Sequence, residues 1–253
     1  MTFLHTQEFG TPNGEAVVLL SSIATTSEAW SEVIPALGGY RVITVDHRGH
    51  GASGVPSARP SEVGTLGRDV LAALDELGVE RFSVVGVSLG GAIAQWLAAN
   101  SGRVDKAVFA ATATFLGGER AWEQKINTAL HDGTSGLTST LMGNWFTAQF
   151  REQHPDVVQR VADMIDSVDD EGYAHNGTAL ATWDFADDLG EITCPVLTIA
   201  GASDPTCPPE KLAEIAAGVA GPSQSVVVDP AAHQVAIENP QGFNTALTRF
   251  LGN

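Results

Sequence analysis

The chain has 253 residues, of which 43% are hydrophobic and 17% charged, and its 30 acidic and 13 basic residues give a formal net charge of −17. This length and composition are typical of a globular α/β domain with a decorating subdomain and argue against disorder. Nucleic-acid binding needs clustered basic residues that neutralise phosphates, and the sequence has no such cluster. The acidic balance also mildly disfavours anionic substrates.

The N-terminus and the cysteines bear on location. The first ten residues, MTFLHTQEFG, have neither a basic region nor an apolar run, and nowhere does an apolar run approach the roughly 18 residues that span a bilayer. Cys194 and Cys207 are the only cysteines, and we expect reduced thiols. We therefore expect a cytoplasmic protein without a membrane partner, and the sequence leaves the oligomeric state open.

Short β-rich runs alternate with helical patterns along the chain. The first ten residues indicate an antiparallel edge strand before a turn at Thr11–Gly14. Runs that are apolar almost throughout predict six buried strands: Ala16–Leu20, Tyr40–Asp46, Phe82–Val87, Val104–Ala111, Pro195–Ala200 and Ser225–Asp229. The alternation predicts a mostly parallel, doubly wound α/β sheet.

Residues 115–190 interrupt this alternation. No clear β run occurs there, and Trp122, Ile126 and Leu130 recur at helical spacing. We expect a helical insertion that caps the C-terminal edge of the sheet. The predicted division is a core of residues 1–114 and 191–253 and a cap of residues 115–190.

A serine with two flanking glycines follows the strand Phe82–Val87. The segment Gly86-Val87-Ser88-Leu89-Gly90 fits G-x-S-x-G, the pattern of a nucleophile on a sharp strand-to-helix turn. Only residues without bulk fit two positions away from such a strained serine. A tight turn with a spectator serine is the alternative, and the strand–turn–helix context favours Ser88 as a nucleophile.

A serine hydroxyl needs a base, and the base needs a group that orients it. His233 lies just after the last predicted strand, where the base belongs in the chain order Ser, acid, His. Asp204 follows the strand Pro195–Ala200 and is the preferred acid. Asp229 is a rival, but it lies only four residues before His233 and is expected to shape that loop.

Acyl transfer also needs donors for the oxyanion. One is expected to be the amide of Leu89, the residue after the serine. The second should come from the loop after Ala16–Leu20, and there the amide of Ile23 is our candidate. A backbone donor tolerates many side chains, so the lack of a His-Gly pair in this loop does not abolish the site.

His47 and His50 lie three residues apart in a glycine-rich turn. Zinc needs at least three ligands, and the sequence shows no further His, Cys or Asp grouping. We interpret the turn as scaffold, with Arg48 holding it by hydrogen bonds, and predict no metal. No phosphate-binding loop or dinucleotide fingerprint occurs, so no nucleotide cofactor is expected.

Together, these motifs resemble the α/β-hydrolase fold family over the whole chain. The matching patterns are Asp46-x-Arg48-Gly49-x-Gly51-x-Ser53, Gly86-x-Ser88-x-Gly90, Gly201-x-x-Asp204 and the His233 loop. Within that family the chain looks most like the 3-oxoadipate enol-lactonases, whose Ser-Leu-Gly-Thr-Thr stretch is similar to Ser22–Thr26. The resemblance implies a cofactor-free hydrolase of a lactone or ester in aromatic catabolism.

The departures from that group fall in the cap. The group tends to have one arginine at the position of Phe115 and another in the region 181–184, and arginine can clamp a carboxylate in a bidentate way. Lys125 offers only a point charge. Five aromatic residues suggest an apolar acyl pocket, although for each one taken separately ordinary cap packing is the favoured explanation: Phe115, Trp122, Trp145, Phe146 and Trp183.

Three functions fit these residues. The first is a serine hydrolase that cleaves a small-molecule ester or lactone through an acyl-enzyme. The second uses the same site for cofactor-free perhydrolysis, as in haloperoxidase-like esterases. The third is a ligand-binding receptor with little turnover, because a fold alone does not decide function.

Overall fold

A computed structural model describes residues 2–55 and 61–252. The strands are β1 (Thr6–Gly10), β2 (Ala16–Leu20), β3 (Arg41–Val45), β4 (Phe82–Val87), β5 (Val104–Ala110), β6 (Val196–Gly201) and β7 (Ser223–Val228). The helices are α1 (Val63–Glu76), α2 (Leu89–Asn100), α3 (Gly118–Asp132), α4 (Ser135–Trp145), α5 (Ala148–Gln153), α6 (Pro155–Ser167), α7 (Asp170–Ala181), α8 (Pro209–Gly218), α9 (Val235–Glu238) and α10 (Pro240–Leu251). None of the helices in the described ranges combines the length and hydropathy that a bilayer crossing requires.

The strands form one sheet in the order β1-β3-β2-β4-β5-β6-β7. β1 pairs antiparallel with β3, and the remaining neighbours pair in parallel. The antiparallel edge strand and the parallel sheet are confirmed. The ends of β2 to β7 differ from the predicted ones by at most two residues, and β1 covers the second half of the predicted edge segment, since an apolar run does not mark where ladder hydrogen bonds stop.

Both faces of the central strands β2 to β6 are covered, which explains their apolar runs. The prediction of a buried strand at Ser225–Asp229 was wrong, because β7 is the edge strand of the sheet and most of its residues are exposed. In β2, Val18 and Leu20 belong to a cluster that includes residues of α1, α2 and α8, whereas Val17 and Leu19 join a second cluster with Phe243 of α10. Successive residues of a strand point to opposite faces, so a strand buried on both sides has few polar positions. The sheet is therefore doubly wound.

Five helices, α3 to α7, lie between β5 and β6, and we use the term cap for residues 115–190. Trp122 of α3 packs against Tyr173 of α7, with ring centroids 6.5 Å apart. Phe115 and Asp184, near the two ends of this segment, form an isolated antiparallel bridge. Apolar residues of the cap belong to the same buried cluster as β2 and β4, so the interior of the cap is continuous with the core.

The cap also touches the core through two glycines. A Cβ on Gly49 would lie 2.3 Å from the Cα of Gly172, and one on Gly172 would lie 2.4 Å from the Cα of Gly49. Around this contact, the Asp169 amide donates to the Gly49 carbonyl at 3.1 Å, and Asn176 Nδ2 donates to the Arg48 carbonyl at 2.8 Å. The start of α7 is thus held against the loop after β3.

Candidate active site

Ser88 occupies a strained turn between β4 and α2. Its φ of 56° and ψ of −112° lie in a region that non-glycine residues rarely adopt. The surrounding backbone holds this conformation, because the Ser88 amide donates to the Ala110 carbonyl at 3.0 Å. Its own carbonyl accepts from Thr112 Oγ1 at 2.8 Å and from the Ala92 amide at 3.0 Å.

The glycines of the pentapeptide are required by close backbone approach. A Cβ on Gly86 would lie 2.1 Å from the Gly90 carbonyl oxygen, and a Cβ on Gly90 would lie 2.1 Å from the Leu20 carbonyl oxygen. Real Cβ atoms do not come this close. The turn therefore needs glycine two residues before and after Ser88, as the sequence pattern indicated.

His233 and Asp204 form a buried pair at the same edge of the sheet. His233 Nδ1 lies 2.8 Å from Asp204 Oδ2. Asp204 Oδ1 accepts from the amides of Thr206 at 2.8 Å and Cys207 at 3.0 Å. Burial alone raises the pKa of Asp204, but the charge and hydrogen bond of His233 and the two amides outweigh it, so this pKa is lowered. Asp229, the rival acid, is exposed.

Ser88 and His233 are placed by neighbouring loops rather than by a mutual bond. Ser88 directly follows β4, Asp204 follows β6 and His233 follows β7, so all three lie at the carboxyl ends of parallel strands. Within the described residues, no hydrogen bond joins Ser88 Oγ to His233. Such bonds are often long in unliganded enzymes and tighten when substrate binds.

Two backbone amides near Ser88 are available as donors. Leu89 is the first residue of α2, and its amide precedes the first hydrogen bond of that helix. Among the residues that the structure describes, neither the Leu89 amide nor the Ile23 amide has an acceptor. The next amide along, of Gly90, donates to the Ser21 carbonyl at 3.1 Å and joins the two loops.

Comparisons with known proteins establish the family of the chain. A family model described as the alpha/beta hydrolase fold matches residues 15–240. The chain belongs to the α/β-hydrolase fold family. It is 33% identical to 3-oxoadipate enol-lactonase 2 of Acinetobacter baylyi over 94% of this chain and 89% of that protein.

Two solved structures are similar over the whole chain. The enol-lactonase from Burkholderia xenovorans LB400 has a TM-score of 0.96 at 31% identity, covering 100% of this chain and 97% of that one. A hydrolase from Pseudomonas aeruginosa PA01 has a TM-score of 0.94 at 36% identity, covering 100% and 95%. The expected fold and the resemblance to enol-lactonases are both confirmed.

In this α/β-hydrolase the loop after β2, which contains Ile23, is held by two histidines of the glycine-rich turn. The Ala24 amide donates to His50 Nε2 at 2.9 Å, and His50 Nδ1 donates to the Arg48 carbonyl at 2.8 Å. Burial, together with the nearby His47, lowers the pKa of His50 to about 3, so the ring is neutral and accepts from Ala24. Ala24 has a φ of 61°, where the similar enol-lactonase stretch has glycine.

The scaffold interpretation of the turn is therefore confirmed. His47 Nε2 lies 2.7 Å from the Ser21 carbonyl oxygen, and burial lowers its pKa. Arg48 is paired with the buried Asp69 and donates to Ser61 Oγ at 3.4 Å. Each imidazole thus bonds a backbone group of the loop after β2.

One grouping was missed by the sequence reasoning. Ligand atoms of Asp204, Cys207 and His233 lie within 4.8 Å of one another, although the sequence alone shows no such cluster. Burial, with Asp204 adding to it, raises the pKa of the Cys207 thiol well above its usual value. Both Asp204 oxygens already accept hydrogen bonds. The hydrogen bond between His233 and Asp204 and the raised pKa of the neighbouring thiol favour a His–Asp pair at this position.

The structure distinguishes four of the five aromatic residues considered for substrate contact, and the fifth, Phe146, stacks on Phe150. The ring of Trp145 stacks on His233, with centroids 6.3 Å apart and planes at 30°. Trp122 Nε1 donates to the Leu116 carbonyl, and Trp183 Nε1 donates to the Ala113 carbonyl. Phe115 is 54% exposed. Of the four, Trp145 has the ring contact with the candidate base.

Lys125 is the half-buried cation of α3. Its Nζ lies 4.2 Å from the centroid of the Trp122 ring. Burial lowers the pKa of Lys125, and electrostatic interaction with Cys207 partly offsets this effect. Among the described residues it forms no ion pair, and its recorded contact is with the Trp122 ring.

Proposed function

We propose that this α/β-hydrolase is a serine hydrolase that cleaves a small-molecule carboxylic ester or lactone through an acyl-enzyme. The observation that carries the proposal is the buried His233–Asp204 pair at the sheet edge where the strained Ser88 is presented. A strained nucleophile persists only where the surrounding structure holds it, and Ser88 is held by three hydrogen bonds.

Acylation begins with the neutral imidazole of His233. Nε2 takes the proton of Ser88 Oγ while Oγ bonds to the substrate carbonyl carbon, and the carbonyl electron pair moves onto oxygen. The amides of Ile23 and Leu89 hold this oxyanion. Asp204 stabilises the imidazolium, which then gives its proton to the leaving oxygen as the acyl–oxygen bond breaks.

Deacylation repeats the same steps with water. His233 takes a proton from water, the hydroxide adds to the acyl carbon, and the proton returns to Ser88 Oγ as the carboxylic acid leaves. For a lactone, the leaving hydroxyl stays attached to the acyl group, so the product is one hydroxy acid. None of these steps requires a group other than protein residues and water.

The substrate is proposed to have an apolar or aromatic acyl group without a free carboxylate. Phe115 and Asp184, which form a bridge, mark the two regions where the similar lactonases tend to have arginine. The net charge of −17 also opposes an anionic substrate. Lys125 is the competing feature, since its unpaired charge could serve a carboxylate. Aromatic catabolism is the metabolic setting that the relatives suggest.

The reaction class is tested with Ser88→Ala on an aryl acetate. Ser203→Ala is the matched control, because Ser203 is an exposed serine beside Asp204. Ser88→Ala should lose activity by about 10⁴-fold or more and should no longer be labelled by a fluorophosphonate probe. Ser203→Ala should keep both. Near wild-type turnover of Ser88→Ala would contradict the proposal.

The substrate is tested with pairs of esters and lactones that differ only in a free carboxylate. The neutral member should have the higher kcat/KM, and Lys125→Met should leave its turnover unchanged. A carboxylated substrate that is preferred, and that loses this preference in Lys125→Met, would overturn the neutral-substrate proposal. Peracid formation from acetate and peroxide would indicate perhydrolysis, and ligand binding without turnover would indicate a receptor.

A further inference from the structure

Glu238 is a buried carboxylate that the proposed mechanism does not use. Its side chain lies in α9, five residues after His233, and the residue is 8% exposed. Among the described residues it has no cationic partner, and its hydrogen bonds come from uncharged donors. Burying a carboxylate is costly, and an apolar residue of similar size would usually serve packing better. Because burial of this carboxylate is unfavourable, we looked for a function of Glu238 in its contacts.

The donors to Glu238 come from two different parts of the molecule. On the core side, the amide of Ala232, the residue just before His233, donates to Oε2 at 2.8 Å. On the cap side, Thr147 donates to Oε1 through its hydroxyl at 2.5 Å and through its amide at 3.1 Å. One carboxylate therefore joins the loop of His233 to the segment between α4 and α5.

The same two segments meet on both sides of His233. The Gln234 amide donates to the carbonyl of Trp145 at 3.0 Å, and the Trp145 ring stacks on the imidazole. Thr147 in turn caps α5, since its hydroxyl accepts from the Phe150 amide at 3.2 Å. The residue after His233 is thus bonded directly to cap residues 145–147, and the residue before it is linked to them through Glu238.

We infer that Glu238 is a positioning residue that couples the position of cap residues 145–147 to the orientation of His233. The cap residues contribute a hydroxyl, an amide, a carbonyl and a ring. Glu238 accepts hydrogen bonds from the hydroxyl and the amide and, through its other oxygen, from the amide of Ala232. When the cap moves, the imidazole moves with it. This inference rests on the proposed role of His233 as the base.

The main test compares Glu238→Gln with the wild type. The NH₂ group of glutamine would face a donor either at Thr147 or at Ala232, so one of these two hydrogen bonds would be lost. A displacement of about 1 Å at the base can cost about 10²-fold in rate. We expect kcat and the rate of fluorophosphonate labelling of Ser88 to fall by about 10- to 100-fold, with KM changing much less.

Thr147 provides a graded series. Thr147→Val removes one hydrogen bond to a charged group at almost constant volume, for which we expect about a 10-fold lower kcat, whereas Thr147→Ser should stay near the wild type. Thr138→Val is the matched control, because Thr138 Oγ1 donates to Asp166 Oδ1 at 2.7 Å within the cap. It should change stability but not kcat.

The double variant Glu238→Gln with Thr147→Val should lose much less than the product of the single losses. The inference is overturned if Glu238→Gln and Thr147→Val lower the melting temperature but leave kcat and the labelling rate at the wild-type level. Failure of the proposed function is a separate result, since it appears as turnover in Ser88→Ala whatever the Glu238 variants do.

Discussion

The sheet edge and the cap use their conspicuous side chains in different ways. At the edge, Ser88 and Asp204 are fixed by backbone hydrogen bonds, and the glycines around Ser88 touch other backbone. In the cap, Trp122 and Trp183 each use the indole nitrogen on a nearby carbonyl and pack among other apolar groups. The proposed catalytic residues are therefore marked by unusual backbone geometry and backbone hydrogen bonds, whereas the candidate binding residues cannot be distinguished from ordinary packing residues.

The strongest test of this contrast is Asp204→Asn. An amide cannot both stabilise the imidazolium and accept from Nδ1–H as a carboxylate does, so kcat should fall on the order of 10⁴-fold, equally for all substrates. Steady-state kinetics on several esters measures it. Asp229→Asn, at the exposed rival acid, should keep wild-type kcat. A substrate-dependent loss in Asp204→Asn would break the distinction between edge and cap.

The next test addresses the join between the two regions. Gly49→Ala forces a Cβ to 2.3 Å from Gly172 at a φ of +66°, whereas Gly102→Ala meets no atom within 4 Å at a φ of +65°. Backbone strain should lower the unfolding free energy of both variants by about 1–2 kcal/mol. Overpacking should raise the total loss in Gly49→Ala to about 2–5 kcal/mol.

Urea unfolding measures both variants, and Gly172→Ala isolates the steric part because that glycine lies in α7. Equal losses for Gly49→Ala and Gly102→Ala would mean that the close approach relaxes without cost. In that case the cap would be held to the core by its apolar interior rather than by this contact.

A smaller effect is expected from Trp145→Leu. The backbone bond to Gln234 remains, but the ring that stacks on His233 is lost. The ratio of kcat/KM between aryl and small acyl substrates should change by about 10-fold. Trp183→Leu, at an equally buried tryptophan, should change this ratio less. An equal change of this ratio in the two variants would indicate that both tryptophans contact the substrate.

A further effect is a pH dependence of stability from His50. Its folded-state pKa is about 3, below the ordinary value, so the unfolded chain binds a proton that the folded protein does not. Stability should therefore fall as pH drops from about 6.5 toward 3, by at most about 1.4 kcal/mol per pH unit from this group. Above pH 7 the contribution is constant.

His50→Asn removes that titration. The difference in unfolding free energy between the wild type and His50→Asn should shrink as pH falls from 7 to 5, as measured by urea unfolding at each pH. Curves that stay parallel over this range would show that the ring is already solvated in the folded protein.

The sequence predicted what local backbone chemistry determines. The strands, the glycine-flanked turn and the strand-end positions of Ser88, Asp204 and His233 follow from short-range patterns, and the structure puts these residues at one edge. The hydrogen bond from the Ala24 amide to His50 could not be predicted, because the two loops become neighbours only through the register of β2 and β3.

Long-range contacts in the cap were also out of reach. Thr147 and Glu238 are 91 residues apart, and neither belongs to a motif. A threonine at a helix start and a glutamate in a short helix each have an ordinary local explanation. The Cys207 thiol beside the His233–Asp204 pair was missed for the same reason, because a lone cysteine carries no spacing signal.

The contact between Gly49 and Gly172 has a consequence for exchanging caps between relatives. Because the two Cα atoms occupy each other's side-chain space, a grafted α7 must bring a residue without a Cβ to position 172. A chimaera that replaces α3 to α6 and keeps α7 with its host leaves this seam intact. For engineering, α7 thus belongs with the host core, and a grafted α3 must still fit the host α7 against which Trp122 packs.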